Sequence, residues 1–256
     1  MEKITTGQAT EIIALFAKKL PLTMLKSVAQ KWIDDPSSFE SAIATALDVK
    51  ITVDSAVSKQ IENWQNFYKK FFGLDLDLLM DLKKPGVVGR PLNLCDLRIP
   101  VRVEGFNRLI IIAKGVSINQ VYETGKKNFS SWKWCDGDIE SQMKDSERGM
   151  VKETYAIWVH DEQEADKDLL GESAEDIKNP QDTESLIERL IHGFKYWSET
   201  ANHLDVDTYT LCASSRYFDG DVPCVDRGGD GGVGVDGYRP RNRGAGIGAR
   251  RAVRVG

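Results

Sequence analysis

Nine residues, "KKPGVVGRP" (Lys83–Pro91), hold two prolines and two glycines, and neither a long helix nor a central strand runs through such a stretch. They separate two textures. Upstream, apolar residues recur at helical spacing. In "TEIIALFAKKL" Ile12, Leu15, Phe16 and Leu20 make one stripe, and "LTMLKSVAQKWI" follows Pro21. "DPSSFESAIATAL" opens on Asp35 and Pro36, or on a Ser37/Glu40 capping box. "SAVSKQIENWQNFYKKFFG" predicts a longer helix that buries Val57, Ile61, Trp64, Phe67 and Phe71 and stops near Gly73.

Downstream, strands and helices intermix. "LRIPVRV" and "RLIIIAK" are rich in strand formers, and "SINQVYETGKKNF" is a short helix opened by Ser117. "SSWKWCDGDIESQMKDSERG" is polar and loop-like. "ETYAIWVHD" is a strand with Tyr155, Ile157 and Val159 on one face. An acidic connector, "EQEADKDLLGESAEDIKNPQD", leads to the helix "TESLIERLIHGFKYWSET", where Leu186, Leu190, Phe194 and Trp197 recur with Ile187 and Ile191 beside them. "YTLCASSRY" is the next strand. The expected fold class is α+β, with a helical N-terminal region over 1–85 and a mixed domain over 86–256.

Several chemistries find no support. No apolar run reaches the roughly 18 residues of a membrane helix, and the N-terminus does not read as a signal peptide. A cytoplasmic location is the default, with surface display by another route left open. Cys95, Cys135, Cys212 and Cys224 form no CxxC pair, and only His160, His192 and His203 could join them, so no metal is expected. His160 and His192 read as packing or surface residues. There is no P-loop, dinucleotide fingerprint or Ser/His/Asp arrangement, so no catalytic residue, cofactor or enzyme activity is expected. "GGVGVDGYR" (Gly231–Arg239) matches the calcium β-roll repeat, which works only in stacked copies, and one is present. "DGDV" and "DGDIE" read as tight turns. Arg227-Gly228-Gly229 is a single triplet among acidic residues, so nucleic acid is not an expected partner.

The last forty residues use a narrowed alphabet. All Lys lie before Tyr196, while eight Arg and five Asp lie between Arg216 and Gly256 in a chain of net charge −5. From Tyr217 onward there is no Lys, Glu, Gln, Met or Trp. Those five types share a property: no triplet ending in a pyrimidine encodes them. Randomising both adenines of an adenine-adenine-pyrimidine codon yields Asn, Asp, Gly, Ser, Arg, Tyr, Cys, Val and Ala, never those five and never a stop. Such a mixture of small, charged and aromatic residues suits a binding surface. Val225, Val233 and Val235 keep odd positions, as an alternating strand does, and "IGARRAV" ends like an inward-facing closing strand. The alternative is a low-complexity, GC-rich or frame-shifted tail.

The stretch "ERLIHGFKYWSETANHLDVDTYTLCASSRYFDGDVP", with "FNRLIIIAKGVSINQVYE" and "ETYAIWVHDEQEAD", resembles the target proteins of diversity-generating retroelements, especially those of ultra-small, uncultured bacteria. The resemblance covers roughly 106–256. It implies a C-type-lectin-like fold whose C-terminal segment, about 214–256, is rewritten by an adenine-mutating reverse transcriptase. Matched onto this chain, Leu211, Cys212, Ser215, Arg216, Asp219, Gly220, Val222, Pro223, Tyr238, Pro240, Arg250, Ala252 and Val253 form the constant framework. The variable, ligand-binding positions are then Tyr217, Asp221, Cys224, Asp226, Arg227, Gly234, Asp236, Gly237, Arg239, Asn242, Gly244 and Gly246. Arg227 stands where relatives tend to have Trp, and Ile247 where they have Leu.

The implied function is non-enzymatic: a hypervariable face that binds a protein or small-molecule ligand. Calcium is not required, since neither Glu-Pro-Asn nor Trp-Asn-Asp occurs. Leu190, Phe194, Trp197, Ile157 and Leu211 are expected in the core, and the display positions in loops or facing solvent. Many Gly on the face imply a weak binder, and Arg239, Arg241 and Arg243 favour an anionic ligand. The N-terminal helices are candidates for self-association. The alternative function is a structural or interaction protein with a disordered Gly/Arg-rich tail.

Overall fold

The computed structural model describes residues 55–74, 99–144, 149–229 and 231–254. The helices expected before residue 55 and the junction at 83–91 lie outside the described residues. Helix α1 (Ser55–Phe72) forms where the aromatic stripe predicts it. It ends at Gly73, whose φ of +65° an L side chain rarely adopts, and the Leu74 N–H returns to the Tyr68 carbonyl.

The stripe has a specific task. Strand β1 (Arg108–Ile112) pairs on one side only, antiparallel with β3 (Tyr155–Val159). Its other edge would leave backbone groups unpaired in the core. Side chains of α1 satisfy them. The Trp64 indole donates to the Leu109 carbonyl at 2.8 Å, and the Tyr68 hydroxyl donates to the Ile111 carbonyl at 2.7 Å while accepting from the Ala113 amide. The Gln60 carbonyl accepts from the Leu109 amide. Helix α1 therefore packs into the same compact unit as the rest of the described chain, and a division at residue 85 leaves it on the wrong side.

Helix α2 (Ile118–Lys126) is capped by Ser117, which accepts from the Gln120 amide. Helix α4 (Leu186–Thr200) opens with a capping box between Ser185 and Glu188 and closes at Ala201 in the left-handed region. It buries Leu186, Leu190, Ile191 and Phe194, and Phe194 meets Phe67 and Phe71 of α1. Ile157 and Leu211 are buried as expected, and Trp197 packs at the core's margin. Among the described residues no helix is long and apolar enough to cross a membrane.

Several expectations need correction. Ala156 and Trp158 are as buried as their neighbours, because β3 is covered on both faces rather than one. Residues 99–103 form no strand: Pro100 has no amide to donate, its carbonyl takes the Trp158 indole, and Val101 is exposed. The polar stretch after residue 130 is not all loop. It contributes strand β2 (Ser131–Lys133) and the helical turn α3 (Ile139–Gln142). The acidic connector is no mere link either. Leu169, Ala174 and Ile177 pack with Leu211, Val222, Cys224 and Ala249 into a second core.

The C-terminal residues build a five-stranded sheet of order β2-β6-β5-β4-β7, where β4 is Tyr209–Leu211, β5 Val222–Arg227, β6 Val233–Tyr238 and β7 Ile247–Gly248. β4, β5 and β6 are antiparallel, with β2 parallel to β6 and β7 parallel to β4. The single roll-like repeat, Gly231–Arg239, is thus largely one strand of an antiparallel hairpin. The Gly/Arg-rich tail is tied in by its backbone: Asp166 N–H bonds Ala249, Gly171 bonds Ile247 and Glu184 bonds Arg250. The closing segment faces inward, with Ala252 buried and Val253 bridging to Trp158.

Candidate functional site

Alternation along β5 and β6 sorts residues between two environments. Val225 pairs with Val235, and both lie in the main core under α4. Their neighbours point the other way: Cys224 pairs with Asp236, and Asp226 with Gly234. Following the register outward, Trp132 of β2 stands beside Gly234, Tyr209 of β4 beside Asp226, and Ile247 of β7 beside Tyr209. One row across the whole sheet therefore reads Trp132, Gly234, Asp226, Tyr209, Ile247. Tyr238 joins this face from the end of β6, near Cys224, Asp236, Tyr209 and Asp226. The acidic connector covers the end of the face at Cys224 and Val222, and the other end is open.

The expected display positions fall into three groups. Cys224, Asp226, Gly234 and Asp236 share the outward face. Arg239, Asn242, Gly244 and Gly246 occupy the loop between β6 and β7, with Arg239 and Asn242 exposed. Asp221 sits half-buried before β5, Arg227 is exposed at its end, and Gly237 lies on the opposite parity, where an added Cβ would stand 3.3 Å from the Tyr217 ring. Three positions do not face solvent, one of them Gly234, which is buried beneath neighbouring side chains. Tyr217 is 1% exposed, sends its hydroxyl to the Asp236 carbonyl and stacks edge-on against Trp134. Cys224, also 1% exposed, is roofed by the connector, which the expectation of a bare display strand left out.

Three aromatic residues were not anticipated on this face. Trp132 and Tyr209 are each 39% exposed, and Tyr238 was assigned only a framework role. The alternation within "SSWKW" was the available signal. These rings supply the contact area that glycine cannot. Gly234 is a floor: a Cβ there would stand 2.5 Å from Asp226 Oδ1 and 2.7 Å from the Trp132 indole nitrogen, so both side chains reach over it.

Charge on the face is negative and unbalanced. Burial pushes the Asp226 carboxyl up from its ordinary range, and Asp236 adds to this. Burial also raises Tyr238. The arginines that suggested an anionic ligand are partly engaged elsewhere, Arg241 with Glu175 at 3.2 Å and Arg243 with Asp176 at 2.7 Å, both on the connector. "DGDV" is a turn, with Gly220 at φ +97° and Asp219 accepting from the Asp221 amide.

Behind the sheet, charge is balanced. Asp205 accepts from Arg189 at 2.7 and 3.0 Å, from Arg250, and from Thr210 at 2.6 Å. These contacts fasten α4, β4 and the C-terminal segment at one point with no solvent exposure. Ser215 is buried and accepts from the Leu186 amide at the start of α4. Glu184 and His192, both buried, meet at 2.8 Å, while His160 pairs with Asp166 and lies over Phe106. Burial pushes the Cys212 and Cys224 thiols well up, the reverse of what a thiolate nucleophile requires.

A second concavity, of about 220 Å³, lies between α1, β1 and α4. Its charges answer one another: Arg108 pairs with Asp161 and Glu199, and Lys195 with Glu199. The open sheet face is the one with charge to spare. Neither a protein family, nor a curated protein, nor a solved structure matches the chain.

Proposed function

We propose that this protein binds a protein or small-molecule ligand through the outward face of its C-terminal sheet, a face diversified by a retroelement on a C-type-lectin-like scaffold. The observation that carries this reading is the alternation. Cys224, Asp226, Gly234 and Asp236 fall on one side of the hairpin, and Val225, Val233 and Val235 between them pack toward the core. At Asp226 and Asp236 a mutagenic process changes the surface and spares the packing, and surface changes of that kind shift stability by only about ±0.5 kcal/mol, whereas Cys224 lies under the connector and Gly234 under Asp226 and Trp132. The competing reading, a disordered Gly/Arg tail, leaves the backbone bonds to Ala249, Ile247 and Arg250 without a purpose.

The experiment is deep sequencing of the last 45 or so codons across the source population, together with the flanking DNA. The expected result is variation concentrated at the twelve positions from Tyr217 to Gly246, with a nearby repeat carrying adenines there beside a reverse-transcriptase gene. Invariant codons with no repeat would overturn the proposal.

A further inference from the structure

Arginines elsewhere in this tail already hold carboxylates: Arg250 with Asp205, Arg251 with Asp168, Arg254 with Glu188. Asp226 and Asp236 are held by none of them. They stand diagonally across the β5–β6 pair, on one face, and neither forms an ion pair with a described residue. On their own face the groups around them are Cys224, Tyr209, Tyr238 and Trp132, and the cation that acts on Asp226, Arg189, is held by Asp205. Trp132 and Tyr209, each 39% exposed, flank the row, and because Gly234 carries no side chain the Trp132 indole and the Asp226 carboxylate both reach over it.

Resting on the reading that this sheet face is the ligand surface, we propose that it receives a cationic side chain of a separate protein partner, an arginine foremost, seated on Asp226 and Asp236 between Trp132 and Tyr209. The chemistry favours guanidinium on two counts. Its planar fork gives two parallel hydrogen bonds to one carboxylate. Its flat faces stack on indole and phenol rings, whose π clouds attract cations. A half-buried carboxylate beside a second one is also relieved by an opposite charge, which lowers the cost of ionising both. The face is then an acidic patch framed by aromatic residues from outside the diversified positions, rather than a surface with little to offer.

The test uses the full chain, isotopically labelled, with the Trp132 indole signal identified by Trp132→Phe. Three acetylated, amidated pentapeptides are titrated, each with glycines around one central residue: arginine, its neutral near-isostere citrulline, or glutamate. The arginine peptide is expected to move the Trp132 indole and the Asp226 and Gly234 amides saturably, about tenfold more tightly than the citrulline peptide. Asp226→Asn, which keeps the shape, is expected to abolish that preference and leave the rest of the spectrum in place. Equal or better binding of citrulline or glutamate at the same residues would overturn the charge assignment and leave the face a ligand surface. No movement there with any of the three peptides would overturn the proposal as well. Concentration-dependent broadening of Trp132 in the free chain, removed by Asp226→Asn, would seat a second copy of this chain there and overturn the separate partner. The population sequencing is independent of these outcomes: variation at codons 226 and 236 without arginine binding removes the cation alone, and arginine binding at invariant codons removes the diversification alone.

Discussion

Asp205 and Asp226 flank the same sheet on opposite sides and are treated in opposite ways. Asp205 is wholly buried, yet its carboxyl is held below the ordinary range, because Arg189 and Arg250 outweigh its desolvation. Asp226 is only half-buried, yet its carboxyl is raised, because burial, joined by a second carboxylate, outweighs the pull of Arg189, which is held by Asp205. The sign of the shift follows the partners rather than the depth. Where the chain supplies its own counter-charges, a carboxylate becomes a fastening for three elements. Where no cation of the described chain pairs with it directly, the carboxylate is left for something outside the chain.

The largest test of this contrast is Asp205→Asn. It leaves two guanidiniums buried against a neutral group, and breaking a buried pair in that way costs about 3–5 kcal/mol. Urea unfolding of the variant should show a loss of that size, a large part of the roughly 5–15 kcal/mol that holds a domain together. A loss under about 1 kcal/mol would mean that the network is not what secures α4 to the sheet.

The second test concerns pH. Burial pushes Glu184 up to about 7, from an ordinary 4.5. Burial, aided by Arg250, Arg108 and Arg189, keeps His192 well below 6.5. On acidification the folded state takes a proton on Glu184 near pH 7, ahead of the unfolded state, which favours folding. The unfolded state takes one on His192 near 6.5, ahead of the folded state, which favours unfolding. Between about pH 4.5 and 6.5 the two effects offset each other, and below 4.5 the unfolded state holds the extra proton and stability falls. His192→Gln should therefore gain stability from pH 7 toward 4.5, with a slope of up to about 1.4 kcal/mol per pH unit. Glu184→Gln should lose stability below 6.5 with a similar slope. Unfolding curves at several pH values read both, and two flat variants would discard the assignment.

A third, smaller effect lies at Gly193, within α4. Alanine in a helix interior normally gains up to about 1 kcal/mol over glycine. Here a Cβ would stand 2.5 Å from Arg189 Nη1, and Arg189 is held by Asp205. Gly193→Ala should therefore destabilise, with overpacking of about 1–3 kcal/mol outweighing the propensity gain. Stabilisation would show that Arg189 can move, and the fastening would be looser than its geometry.

Elements with long local periodicity were legible in the sequence, and those fixed by distant partners were not. The stripe Ile61, Trp64, Phe67 and Phe71 announced α1, and Ser117 and the run from Leu186 announced α2 and α4. The alternation of Val225, Val233 and Val235 announced which side of the hairpin is core. Strand β2 is three residues long and finds its partner a hundred residues downstream at Val233–Val235, so the short alternation in "SSWKW" is its only local trace. The burial of Cys224 depends on Leu169 and Ile177 arriving from a stretch whose acidity suggested a solvated link. The candidate site was read as a list of diversified positions. The aromatic residues that frame it, Trp132 and Tyr209, come from strands outside that list, and only the register brings them alongside Asp226.

The smallest expected effect is on stability at Asp226 itself. A carboxyl raised in the folded state contributes stability below its unfolded pKa and loses it as pH rises through its folded one, so ionised Asp226 weakens the fold at neutral pH. Asp226→Asn should then be neutral or slightly stabilising at pH 7, by no more than about 0.5 kcal/mol, with the difference vanishing near pH 3. The same substitution on the other side of the sheet, at Asp205, should cost several times more and in the opposite direction. If Asp226→Asn instead destabilises by more than about 1 kcal/mol, this carboxylate is engaged within the fold, and the distinction between a fastening and a vacancy falls.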